Sequence, residues 1–321
     1  MTRRKLDDLL ASIGAIRADP SGPEALPVLR AALAQGGGAL VAAAAHVVGD
    51  AGMEALYPDL RAAFERLRID GVSRDPGCRG KQAIADALLK NEVYAEDVFL
   101  PGVRHVQREP VWGGSVDTAP GLRGTCALGL AMMDHRDALD KFATLLADPE
   151  ANARANAAVA LGNLGRAEAV PLLRYKCLLG DEAPEVVGEA MSALLSLRPD
   201  SLEFIASFLD APRESVIESA LLALGQTRRA EVLPILRDYA QRARPGVLRT
   251  ALLALGLLRS EASTAFLLGW LAEAPPAQAV HALDALAIQS HDPALSARVR
   301  QVVGARRSRP LDEALARAFA R

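Results

Sequence analysis

The chain has 321 residues, half of them hydrophobic, yet aromatic residues make up only 4%. Such an alanine- and leucine-rich composition suits closely packed helices and is poor for a β-sandwich, whose pleated faces favour β-branched and aromatic side chains. A net charge of −2 gives no global attraction to nucleic acid or an anionic membrane, and no stretch approaches the roughly 18 unbroken apolar residues that cross a bilayer.

The chain opens Met1-Thr2-Arg3-Arg4-Lys5-Leu6-Asp7-Asp8, with acids where a signal peptide needs its apolar region, which suggests a cytoplasmic protein. Leu6, Leu9, Leu10 and Ile13 then fall on one helical face, so residues 1–22 are expected to form an N-terminal cap. From residue 23 two words alternate. The first is apolar-Pro-x-Leu-Arg or close to it, at Leu26–Arg30, Tyr57–Arg61, Val170–Arg174 and Leu233–Arg237. Proline is tolerated in the first helical turn, so these words mark the starts of first helices, called A.

The second word is an Ala/Leu run, seen most plainly as Ala220–Gly225 and Ala251–Gly256 and more loosely at Ala158–Gly165. It marks the following helix, B, anchored at Val48, Leu88, Leu128, Leu161, Leu194, Leu224, Leu255 and Leu286. Asp-Pro pairs at Asp75-Pro76 and Asp148-Pro149 read as helix caps before B helices, and Gly165, Gly225 and Gly256 as left-handed stops after them. Repeats are expected over 23–303. A stripe of Leu311, Leu315, Ala318 and Phe319, with Arg309, Arg317 and Arg321 on polar positions, points to a C-terminal capping helix within 304–321.

These words resemble the HEAT repeat family in its short bacterial form, also known from phycobilisome lyase-like proteins. The landmarks of tetratricopeptide, ankyrin and armadillo repeats are missing. The resemblance implies an all-α fold, an α-solenoid (superhelix) of about nine helix pairs in a single domain over 1–321. It also implies B helices that line a concave face.

The rhythm breaks in the N-terminal half. B anchors from Val48 through Leu88 to Leu128 are 40 residues apart, which places inserts near 69–75 and 107–118. Inserts at one place in adjacent repeats project from the same edge and are expected to meet. The second carries Trp112 beside Gly113-Gly114, flanked by Arg104, His105, Arg108 and Arg123. An exposed Trp112 would be a recognition anchor; the alternative is an indole folded back over the insert. Trp270, in an A-helix stripe, is expected in the core.

Polar residues one to two turns before the B anchors should face the groove or the seam between repeats. They include Lys81, Arg123, Arg154, Asn156, Glu185, Glu189, Glu214, Glu218 and Arg249. This alternation of sign suits a partner segment of complementary charge, or else inter-repeat ion pairs such as Glu218 with Arg249. Candidate partner-binding residues are therefore Arg104, His105, Arg108, Trp112, Arg123, Arg154, Asn156, Glu185, Glu189, Glu218 and Arg249.

No catalytic motif is present, and the five histidines have no metal-ligand spacing. His46 and His281 are expected to hydrogen-bond across repeats, and the three cysteines to be buried packing residues. Neither cofactor nor metal is implied. The favoured function is a non-catalytic scaffold for another protein or peptide, with no membrane contact. The first alternative is a nucleic-acid-binding protein of the alkylated-base glycosylase type, using Lys81, Arg104, Arg108, Arg123 and Arg154 on phosphates; the acidic central groove argues against it. The second is a lyase-like subunit for a cofactor.

Overall fold

A computed structural model describes residues 3–319; Met1, Thr2, Ala320 and Arg321, the last included in the C-terminal cap, lie outside the described residues. The chain forms an all-α solenoid of helix pairs, divided into two compact units, Met1–Gly165 and Arg166–Arg321.

In the first unit, α1 (Arg3–Ala18) precedes α2 (Ala25–Gln35), α3 (Gly38–Ala51), α4 (Tyr57–Arg68) and the single turn α5 (Gly71–Arg74). Then come α6 (Arg79–Lys90), α7 (Glu96–Gly102), β1 (Arg108–Val111), β2 (Gly114–Asp117), α8 (Pro120–Met132), α9 (Ala138–Leu145) and α10 (Ala151–Leu164). The A helices α2, α4, α7 and α9 each pack on their own B helix, α3, α6, α8 or α10, and the B helices stack on one another in that order. The proline words begin A helices because their missing N–H groups fall in the first turn, as Pro58 does in α4. Helix α1 lies on α3 and buries Ile13.

The second unit repeats the scheme. Its A helices are α11 (Ala169–Leu179), α13 (Leu202–Ala206), α15 (Val232–Arg242), α17 (Glu261–Glu273) and α19 (Pro293–Arg306) in chain order with the B helices. The B helices are α12 (Pro184–Leu197), α14 (Glu214–Gln226), α16 (Pro245–Leu257), α18 (Pro276–Leu286) and α20 (Arg309–Ala318). Helix α20 packs on α18 and α19, the place of a B helix, and buries Leu311 and Ala314.

Seven of the expected B anchors are fully buried, but Leu128 is not, and Leu130 takes its place in the core of α8. The cause is the insert, which lengthens the second step beyond 40 residues and moves the true register by two positions. Gly225 and Gly256 are not left-handed stops. Both sit inside helices, where an added Cβ would lie 2.5 Å from the carbonyl oxygen of Ala254 or Ala285; they let successive B helices approach closely. The left-handed turns fall instead on Arg228 and Arg259, and Gly165 does take the expected one, with φ +71°.

Cys78, Cys126 and Cys177 are buried and free, and burial pushes the Cys78 and Cys177 thiols up to about 12, which keeps them protonated. His46 is exposed and the buried Nδ1 of His281 has no hydrogen-bond partner, so the expected bonds across repeats are not formed. Trp270 is half-buried on α17, with its ring 5.7 Å from that of Phe266. No described helix is long and apolar enough to cross a membrane.

Candidate interaction surface

One register position sorts the B helices. On α6, α8 and α10 it holds Lys81, Arg123 and Arg154, all buried; on α3, α12, α14, α16 and α18 it holds Val41, Val187, Ile217, Leu248 and Ala279. Each buried cation reaches back to an aspartate six residues earlier or to that aspartate's backbone. Lys81 Nζ lies 2.9 Å from Asp75 Oδ2, with both side chains fully inaccessible, and Asp75 also accepts the Gly80 and Lys81 N–H groups. Arg123 donates to Asp117 at 2.7 Å and to Asp148 at 2.8 Å, so one guanidinium joins two successive repeats. Arg154 donates to the carbonyls of Asp148 and Pro149. The Asp-Pro words thus do more than cap helices, and the spacing Asp-x5-Lys/Arg was the available signal.

This interior network holds the second insert, which is a β-hairpin. Strands β1 and β2 pair antiparallel, with Arg108 opposite Asp117 and Val111 opposite Gly114. That register leaves Trp112 and Gly113 as a two-residue turn, and Gly113 has φ +87°, a conformation that favours glycine. The base is tied to the first insert. Gln107 Nε2 donates to the Asp75 carbonyl at 2.8 Å, and the Glu109 carboxylate accepts from Gly77 N–H, Gln107 and Thr118. The two inserts therefore touch.

Hydrogen bonds set the electrostatics. Burial pushes the Asp117 carboxyl up, but the N–H groups of Ala119 and Gln107 and the Arg123 guanidinium outweigh it and hold Asp117 below the usual carboxylate range. The Gln107 amide, followed by Gly77 N–H and Thr118, likewise holds Glu109 low against a desolvation penalty. His105 is lowered by burial, with the Lys81 and Arg68 charges adding to it.

The tip, by contrast, touches nothing. Trp112 is 104% exposed relative to a free side chain, flanked by half-exposed Val111 and Val116. An isolated two-stranded hairpin is marginal in water, so its position depends on the network at its foot. Beside the foot opens a cleft of about 450 Å³ lined by His46, Arg79, Gln82, Asp86, Asp117 and Thr118, among others.

The candidate residues separate accordingly. Arg104, Arg108 and Trp112 are exposed around the hairpin, and His105 is half-buried at its foot. Arg123 and Arg154 are corrections: both are interior, engaged with aspartate or backbone oxygens, and neither offers a surface to a partner. Asn156 bonds locally to Asn152. In the second unit Glu185 and Glu189 are exposed on α12. Glu218 accepts from Thr250 at 2.9 Å, and Arg249 lies 3.9 Å from Asp284 rather than pairing with Glu218. Among the described residues no cluster of His, Cys, Asp or Glu is arranged to hold a metal ion.

The family model for HEAT repeats matches residues 115–195 and 201–287. No curated protein matches the chain. Solved structures are similar to it at low identity. The complex of CpcE and CpcF of phycocyanin lyase from Nostoc sp. is 20% identical over 90% of this chain and 94% of that one, with a TM-score of 0.37. Human deoxyhypusine hydroxylase in complex with glycerol is 17% identical over 98% of this chain and 96% of that one, with a TM-score of 0.31. An engineered protein is 15% identical over 97% and 87%, with a TM-score of 0.33.

Proposed function

Because the chain belongs to the HEAT repeat family, we propose that it is a non-catalytic scaffold that binds another protein, with the hairpin of residues 108–117 as the principal contact. The observation that carries this reading is Trp112: a fully exposed indole at the end of a hairpin whose foot is held by a buried ionic network. Exposed large aromatics cost solubility and are enriched where partners dock. Rigid support lowers the entropy lost on binding.

The nucleic-acid alternative loses support at the same residues. Of its five candidate phosphate contacts, Lys81, Arg123 and Arg154 are buried, which leaves Arg104 and Arg108. Of those five, only these two are placed to release counterions from phosphates.

A pull-down from the source cells that compares the unaltered chain with Trp112→Ala, Arg108→Ala tests the proposal. Proteins held by the first and lost from the second are expected, with unchanged thermal unfolding. An identical set of bound proteins would overturn the hairpin as the contact.

A further inference from the structure

The hairpin has two outer edges, and only one offers a complete row of donors and acceptors to another strand. Thr118 N–H donates to the Gln107 carbonyl at 2.9 Å. Bonded and non-bonded pairs alternate in an antiparallel ladder, so Glu109 with Val116 and Val111 with Gly114 are the next bonded pairs. The non-bonded pairs are then Arg108 with Asp117 and Pro110 with Ser115, whose backbone groups point outward. On β1 the outward positions are Arg108 and Pro110, and Pro110, the one nearer the tip, has no N–H to give. On β2 the outward positions are Ser115 and Asp117, each with an N–H and a carbonyl, on a strand exposed at Gly114, Ser115 and Val116. Proline on one edge is a common device against unwanted strand pairing, and β2 lacks it.

Exposed cations gather near the foot of this hairpin. Arg74, Arg79, Arg104 and Arg108 are exposed, and among the described residues none is paired with a carboxylate. All four lie within three residues of a group bonded at the hairpin foot: Asp75, Gly77 or Gln107. The acids nearby turn to other groups, Glu109 and Asp117 to the network and Asp86 to Gln82 and Thr125, and none of the three pairs with these arginines. An incoming acidic segment would meet guanidinium groups that, among the described residues, no carboxylate of this chain pairs.

Resting on the scaffold reading above, we propose that the partner segment is an extended acidic peptide that adds as a third strand along the outer edge of β2. Main-chain bonds to Ser115 and Asp117 give the pairing, Trp112 caps one end, and the four arginines select for Asp and Glu. Strand addition uses backbone groups, so it tolerates varied partner sequences with a shared acidic character.

The test begins with a displayed library of random heptapeptides selected on the immobilised full chain. Synthetic versions of the selected peptides are then measured by fluorescence anisotropy. Acidic, proline-poor peptides are expected. Ser115→Ala should bind them as the unaltered chain does, and Ser115→Pro should bind at least about tenfold more weakly, because one buried carbonyl of the peptide loses its donor. Proline at 115 leaves the hairpin ladder intact, since that N–H faces away from β1. Amide exchange supplies a second readout independent of any variant: added peptide should slow exchange at Ser115 and Asp117.

Equal binding to Ser115→Pro with loss in Trp112→Ala overturns strand addition and leaves the scaffold reading standing. Selected peptides that ignore both substitutions overturn both readings. An empty selection, peptides without acidic residues, or tighter binding of a single-stranded DNA 20-mer than of any peptide overturns this inference.

Discussion

The two units solve one packing problem in different ways. At the same register position three of the first unit's four B helices bury Lys81, Arg123 and Arg154, and α3 buries Val41, while the second unit buries Val187, Ile217, Leu248 and Ala279. The cations occur where a B helix must also hold the segment before it: the first insert through Asp75, the hairpin through Asp117, and the α9–α10 junction through Asp148. In the second unit α14, α16 and α18 follow short connections, and aliphatic contact suffices there; a comparable buried pair, Lys176 with Asp181 at 2.7 Å, involves a residue of α11. Buried ion pairs contribute little net stability against apolar residues of the same size. Their value here is positional, since they fix where irregular segments lie.

The largest expected effect follows directly. Asp75→Ala leaves the Lys81 ammonium with only a 3.4 Å contact to the Leu67 carbonyl and frees two backbone N–H groups. Removing one partner of a buried pair costs about 3–5 kcal/mol. Asp210→Ala breaks an exposed pair with Arg242 in the second unit and should cost under about 1 kcal/mol. Denaturant unfolding measures both. Adding Lys81→Met to Asp75→Ala should recover much of the loss, because it recreates the aliphatic arrangement of the second unit. Equal costs for Asp75→Ala and Asp210→Ala would mean that the ionic register position has no special role.

The regular part of this fold was legible because its signal is local. Proline in the first turn of an A helix and the Ala/Leu stripe of a B helix follow from backbone chemistry and helical period, so the helix pairs could be placed from them. The inserts could be located by the failure of the rhythm, but their structure could not. Nothing in the word Val111-Trp112-Gly113-Gly114 alone distinguishes a folded-back loop from a hairpin; the outcome depends on Gln107 and Glu109 finding acceptors and donors 32 residues earlier. Arg123 and Arg154 depart from the sequence expectation for a related reason. A cation in a helical stripe reads as solvent-facing unless its aspartate, six residues before, is recognised as a partner. Glycine showed the same ambiguity, since Gly225 within α14 serves close approach and Gly165 serves a turn.

Acid should separate the units next. Asp117 and Glu109 are held below their ordinary values in the folded chain. Such groups contribute stability that is fully present above the unfolded carboxylate range of about 4 and lost as pH falls through the lower folded values. In the second unit Glu231 is shifted this way too, but it is exposed. Amide exchange followed between pH 5 and 2 is expected to accelerate first around the hairpin foot, at Gln107 and Thr118. Asp117→Asn should flatten that dependence. Exchange that accelerates first in α14 or α16 would place the acid-sensitive region in the wrong unit.

The smallest effect on stability is expected at the residue given the largest role in binding. Trp112 touches nothing, so Trp112→Ala should change unfolding by no more than about 0.5 kcal/mol. Trp270 packs beside Phe266, and Trp270→Ala should cost clearly more. These are the only two tryptophans, so each single variant isolates the emission of the other. With Trp270→Phe, the remaining emission should match that of indole in water and be quenched fully by acrylamide. With Trp112→Phe, it should shift to the blue and resist the quencher. A stability cost at Trp112 comparable to that at Trp270 would show an indole folded onto the insert in solution, and the contrast between an anchored foot and a free tip would fail with it.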